Sequence, residues 1–250
     1  MAVGAGEVSA AAHPTFAPRL LSARDEVPGV RLFRFASPAG FSFTPGQFLM
    51  FHFADDPKTW RAYSLCSAPS RAAEYFEVAV GMVGAFSDRL GRVSPGAEDG
   101  LNARGPFGKW TYDGAPEHAV LVSGGTGLTP FRAMVLLKAE GEKNGRLTVC
   151  CSARTPDLLL FRSEYSEWLK HGVDVAARIT RPDESTRSWR GPVGRWTAAD
   201  VRAIAGDVDA VYYLCGPNKM VTDLREGLQA AGVPPEKIRT EKWGDYSDLF

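Results

Sequence analysis

The period of the apolar residues changes near residue 117, and that change divides the chain into two halves with different architecture. Before it, short runs alternate: Val30–Phe35, Gln47–Phe53 after the turn pair Pro45-Gly46, Tyr63–Cys66 and Tyr75–Val80. Side chains on a strand repeat every second residue. Runs of this kind, separated by Gly, Pro and Ser clusters, predict an antiparallel β-barrel or sandwich. One helical piece, Phe86–Leu90, interrupts them. After the change, the strand-like runs Ala119–Val122, Arg146–Ser152, Val173–Ile179 and Ala210–Cys215 take turns with helical ones. The helical runs are Phe131–Ala139, Phe161–Lys170, Ala198–Ile204 and Lys219–Ala231, the last stopped by Gly232. Strands alternating with helices predict a parallel sheet with crossover connections, an α/β domain. The break falls at Thr111–Glu117, where Asp113-Gly114-Ala115-Pro116 interrupts the chain. The expected division is a small-residue tail at 1–14, a barrel at 15–113 and an α/β domain with a C-terminal extension at 117–250.

Two domains suit a chain of 250 residues, since a domain takes roughly 100–200. Lys+Arg and Asp+Glu both number 29, so nothing global points to nucleic acid or to an anionic membrane. No window approaches the roughly 18 apolar residues of a membrane span. The N-terminus has neither the basic start nor the apolar run of a secretory signal, so the expectation is a cytoplasmic protein. Cys66, Cys150, Cys151 and Cys215 form no C-x-x-C pair, so neither zinc nor an iron–sulfur cluster is expected. Burial in a reducing compartment accounts for Cys66, Cys150 and Cys151. Vicinal Cys150 and Cys151 lie in one strand and are expected on opposite faces.

The chemistry-bearing segments sit at the ends of these elements. Ser123-Gly124-Gly125-Thr126-Gly127-Leu128-Thr129-Pro130 follows a strand and opens a helix. Glycines there let the backbone approach a ligand, and the helix start offers amide donors to a pyrophosphate. It departs from G-x-G-x-x-G because Pro130 takes the place of the third glycine. Leu214-Cys215-Gly216-Pro217 repeats the geometry at a second strand end. Ligands of open α/β sheets bind at such ends, so both segments are expected to face one crevice. In the first half, Arg61-Ala62-Tyr63-Ser64 mixes a cation suited to phosphate, a flat aromatic and a hydroxyl. Gly84-Ala85-Phe86-Ser87 opens the one helix of that half, and Gly105-Pro106-Phe107-Gly108 closes the half with a turn.

RAYSLCS, GAFS, GPFG, GGTGLTP and CGP, in this order, resemble the ferredoxin–NADP reductase superfamily over roughly residues 15–243. The resemblance implies a flavin-binding barrel joined to a nucleotide-binding α/β domain, with FAD and NADP, or NAD, as cofactors. It implies Arg61 on the FAD pyrophosphate, Tyr63 against the isoalloxazine and Ser64 near flavin N5. Ala62, Val78 and Val80 join the flavin contacts, and Gly84, Ala85, Phe86 and Ser87 form a phosphate-binding helix start with Ser87 as its hydroxyl donor. Gly124, Gly125, Thr126, Gly127 and Thr129 form the nicotinamide-nucleotide loop. Cys215 and Gly216 border the nicotinamide, and Glu241 lies near the flavin. Ser64, Cys215 and Glu241 are the implied catalytic set. Where plant-type members end in a stacked tyrosine, this chain continues Glu241-Lys242-Trp243 to Phe250. Trp243 is the candidate to cover the flavin, with Tyr246 and Phe250 as alternatives.

The implied reaction passes electrons between a nicotinamide nucleotide and a ferredoxin or flavodoxin. A flavin reductase, or the reductase component of an oxygenase, is a second reading. A third is a non-enzymatic flavin relay in a larger complex, against which the two nucleotide segments argue. Ser152 ends a strand and Arg154 and Arg181 follow strands; the resemblance implies that such positions surround the adenosine ribose, where a guanidinium suits a 2′-phosphate.

Overall fold

The computed structural model describes residues 15–97, 99–141, 145–206 and 209–242. The first half holds β1 (Leu20–Val27), β2 (Val30–Ala36), β3 (Phe48–Phe53), β4 (Asp56–Ser64), β5 (Tyr75–Gly81), α1 (Ala85–Leu90) and β6 (Leu101–Phe107). They form two three-stranded antiparallel sheets, ordered β1-β2-β5 and β4-β3-β6. Bridges at Leu65–Val78 and Phe16–Ala103 join the sheets into the expected barrel-like unit. The second half holds β7 (His118–Gly124), α2 (Thr129–Ala139), β8 (Arg146–Ala153), α3 (Tyr165–Lys170), β9 (Val173–Ile179), α4 (Ala198–Ala205), β10 (Ala210–Gly216), α5 (Asn218–Ala230) and β11 (Ile238–Lys242). Its five strands pair in parallel in the order β11-β10-β7-β8-β9. Among the described residues no helix is long and apolar enough to cross a membrane.

Strand alternation decides what each face of the barrel does. On β2 and β5, Phe33, Phe35, Phe76, Val78 and Val80 turn inward to the barrel core. The opposite parity, Leu32 and Ala79, packs with Leu121, Phe131 and Tyr213 of the second half. One sheet therefore supplies two cores, and the seam between the halves is apolar. The connecting segment is part of that seam: Tyr112 is fully buried, and the Tyr213 hydroxyl donates to the Thr111 carbonyl at 3.3 Å. Cys151 joins this shared core, while Cys150 faces the other side of the parallel sheet beside Trp196.

The strands that the pattern does not reveal are edges. β1, β6 and β11 each lie at the side of a sheet. β1 reads LLSARDEV with most of its side chains out of the core, and β6 carries Gly105-Pro106. Edge strands tolerate charge and proline because one row of their backbone groups needs no ladder partner. β4, another edge, begins seven residues before the expected Tyr63. The expected helix Phe161–Lys170 begins only at Tyr165. Phe161 holds a left-handed backbone with φ of 55°, its ring is fully buried, and its amide donates to Glu26 at 3.1 Å.

Candidate active site

The first groove, of about 1060 Å³, runs along β4 and the start of α1. Arg61, Ala62, Tyr63 and Ser64 line it, facing Gly84, Ala85, Phe86 and Ser87, so both sequence segments meet there. Tyr63 is half-buried, with its ring 5.7 Å from Phe51 and 6.2 Å from Phe86. Burial pushes its phenol up to about 12, so it stays neutral and acts as a flat surface with a hydroxyl. Arg61 is exposed, and its Nη1 donates to the Trp60 carbonyl at 2.8 Å, leaving the rest of the fork toward the groove.

Two expectations change in this groove. The Ser87 hydroxyl donates to the Gly84 carbonyl at 2.8 Å and accepts from the Val83 and Gly84 amides at 3.0 and 3.1 Å. Its one proton is spent on the turn, so it shapes the helix start and does not serve as a free hydroxyl donor. Val78 and Val80 have the inward parity and are fully buried in the barrel. Ala79 and Gly81, one residue away, line the groove in their place. Pattern reading also passes over Trp60 and Arg89. Trp60 precedes Arg61 and packs on His52 at 4.1 Å between centroids. Arg89 closes α1, lies 3.7 Å over Phe53 and pairs with Asp55 at 2.7 Å. A basic residue in the last turn of a helix is an available sequence signal for the latter.

The second groove, of about 550 Å³, opens at the carboxyl ends of β7, β8 and β10. Gly124, Gly125, Thr126, Ser152, Arg154 and Arg181 all line it. Gly127 does not line it, because a Cβ on Gly127 would stand 2.3 Å from the Cys215 carbonyl oxygen. Gly216, with φ of +145°, approaches Gly124 so closely that its own Cβ would meet the Gly124 nitrogen at 3.0 Å. The two glycine segments thus cross backbone to backbone, a contact that excludes side chains. Pro130 sits in the first turn of α2, where its missing amide hydrogen costs no helix bond.

Cationic side chains converge on this groove. Arg181 pairs with Glu184 at 2.9 Å, and Lys219 pairs with Asp223 at 2.9 Å. Arg154 and Arg195 have no ion partner among the described residues. Arg195 escapes the sequence reading because it stands in an irregular segment after β9. The segment is nevertheless fixed, with the Arg195 carbonyl accepting from Arg178 and the Trp196 indole donating to the Cys151 carbonyl at 3.1 Å.

Thr126 lines both grooves, which places their mouths at one wall. Thr129 lies on the same wall, is 3% exposed, and its hydroxyl has no hydrogen-bond partner in the described structure. A buried hydroxyl of that kind calls for a ligand group or water. The Cys215 thiol is fully buried in the shared core and lines neither groove. Glu241 pairs with Cys215 across β10 and β11, is half-buried, and burial pushes its carboxyl up to about 7. Trp243, Tyr246 and Phe250 lie outside the described residues.

The chain matches the model of the oxidoreductase FAD-binding domain over residues 19–112 and that of the oxidoreductase NAD-binding domain over residues 121–226. It is 31% identical to ferredoxin–NADP reductase B of Sorangium cellulosum over 241 residues, 91% of this chain and 97% of that protein. It is 29% identical to a stachydrine N-demethylase reductase subunit of Rhizobium meliloti, covering 87% of this chain but only 64% of the longer relative. Its fold is that of a ferredoxin NADP+ reductase from Neisseria gonorrhoeae crystallised with FAD and NADP, with a TM-score of 0.76 at 19% identity over 92% of this chain and 98% of that one.

Proposed function

The chain belongs to the ferredoxin–NADP reductase family and is an FAD-dependent NAD(P)H oxidoreductase, and from that premise we propose that it carries electrons between NADPH and a ferredoxin- or flavodoxin-type carrier in the cytoplasm. The observation that carries the reading is the shared wall: Thr126 borders the groove of each half. FAD, when bound, supplies the chemistry that links a two-electron hydride donor to single-electron carriers. Residues 15–113 hold the flavin and residues 117–250 hold the nucleotide.

Each side chain has a task suited to its place. Arg61 takes the FAD pyrophosphate, with its fork partly anchored by the Trp60 carbonyl. Tyr63 packs against the ring system, and Ser64 offers a hydroxyl at the end of β4. Amides at the opening of α1, held in place by Ser87, face phosphate oxygens. Thr126 and Thr129 close the wall between the two ligands. Cys215 backs that wall from inside the core and positions the crossing loops. Glu241, neutral below about pH 7, keeps a proton on its carboxyl at the end of β11. Arg154 and Arg195, which line the nucleotide groove and have no ion partner among the described residues, read the 2′-phosphate of NADPH.

A reductase component for an oxygenase is the second reading, favoured by the likeness to the demethylase reductase subunit. The two readings separate by acceptor. Purified protein should be yellow, and its flavin should bleach with NADPH. It should reduce cytochrome c much faster with added ferredoxin or flavodoxin than without. Bleaching with no acceleration by either carrier would overturn the carrier assignment. A protein that binds no FAD in titration would overturn the whole reading.

A further inference from the structure

At the seam between the halves lies a charged network that lines neither groove. Arg132 sits on α2, three residues beyond Thr129, and is 9% exposed. Its Nη1 donates to the Cys66 carbonyl and to Glu77 Oε2, both at 2.8 Å. Its Nε donates to the Glu164 carboxylate at 2.8 and 3.1 Å. The Phe161 ring lies 4.9 Å from the guanidinium. Glu77, on β5 and 3% exposed, receives Arg34 on its other oxygen at 2.7 Å. Two cations and two anions therefore balance, with Arg132 and Glu77 buried and Arg34 and Glu164 at the more exposed rim.

The connectivity of this network gives it a function. Cys66 and Glu77 belong to the flavin half, while Arg132 and Glu164 belong to the nucleotide half. Cys66 stands two residues past Ser64, and Arg132 one helical turn past Thr129. A single planar group thus ties the strand end that carries Ser64 to the helix that carries Thr129. A buried ion pair adds little net stability over apolar packing, but its directional bonds select one geometry. We propose that Arg132 is a positioning residue that sets the spacing between the flavin-binding strand and the nucleotide loop, and so the distance over which hydride moves.

This proposal rests on the oxidoreductase reading, and its test separates the two. Spin labels on Lys58→Cys and Glu236→Cys report the distance between the halves, since both positions are exposed and all four native cysteines are buried. Pulsed dipolar spectroscopy on the protein as purified should give one narrow distance distribution. With Arg132→Lys, which keeps the charge but loses the fork, the distribution should broaden. Glu164→Gln, at the more exposed rim, should broaden it less. In stopped flow at saturating NADPH, Arg132→Lys should slow flavin bleaching by about tenfold to a hundredfold, the cost of a misplacement of about 1 Å. Flavin content and nucleotide affinity should stay as in the parent, a split that simple loss of stability would not produce. Unchanged distance widths overturn the proposal, and so do broadened widths with full-speed bleaching. If Arg132→Lys does not fold, Glu164→Gln decides by the same two readings. A parent protein whose flavin does not bleach sinks the oxidoreductase reading, while the distance distributions still decide whether Arg132 locks the halves.

Discussion

At the scale of single residues, burial and backbone approach decide more than side-chain identity. Glu241 has an ordinary carboxyl value of 4.5 that burial raises to about 7 in the folded chain. Between those values the folded protein binds more protons than the unfolded one, so stability falls as pH rises through that window. Below pH 4.5 both states are protonated, and above pH 7 both are ionised, so the dependence on this group flattens at each end. Glu241→Gln should remove that part of the profile, leaving the melting temperature of the variant flatter between pH 4.5 and 7 than that of the parent. Parallel melting curves for the two proteins across that range would show that the carboxyl titrates normally. Gly127 makes the complementary point about backbone. A Cβ there would stand 2.3 Å from the Cys215 carbonyl oxygen, a backbone atom that cannot swing aside. Gly127→Ala should therefore destabilise by about 1–3 kcal/mol and weaken nucleotide binding while FAD stays bound. Denaturant melts and parallel titrations check this, and an alanine variant with parental nucleotide affinity would show that the two loops can separate freely.

At the scale of elements, the sequence reveals what is buried on a regular period and hides what is not. β2, β3 and β5 are legible because alternate residues fill the barrel core, and β7, β8 and β10 because they are apolar on both faces. β1, β6 and β11 stay hidden because an edge strand needs no such pattern. The candidate site follows the same rule. Motifs at strand ends point to Arg61, Tyr63, Gly124 and Thr126, whereas Arg195 stands in a loop whose path depends on tertiary contacts. Val78 and Val80 alternate with Ala79 and Gly81, and the barrel core takes the first pair while the second pair lines the groove. The placement of Arg195 beside Arg154 yields a test. A charge-assisted hydrogen bond to phosphate contributes about 1.5–3 kcal/mol, or roughly tenfold to a hundredfold in affinity. Arg154→Ala and Arg195→Ala should each weaken NADPH by that order and leave NADH nearly unchanged. Equal losses for both nucleotides would assign the arginines to the pyrophosphate that the two share.

At the scale of the whole molecule, the two halves share a core and should therefore unfold as one unit. Leu32, Cys66, Ala79 and Tyr112 of the first half pack in the same cluster as Leu121, Phe131, Cys151 and Tyr213 of the second. Separating the halves would expose that apolar surface and strand the Arg132 and Glu77 charges as well. The expected consequence is a single cooperative transition in calorimetry, with calorimetric and van't Hoff enthalpies in agreement. FAD then stabilises the entire chain even though its groove belongs to the first half. Free FAD at 100 times its dissociation constant adds about 2.7 kcal/mol to a state that binds it only when folded. For a chain of this size, each kcal/mol moves the midpoint by about 2–4 °C, so saturating FAD should raise the one transition by roughly 5–10 °C. Two resolved transitions, with FAD shifting only one, would mean that the shared core does not couple the halves and that the seam opens before either half unfolds.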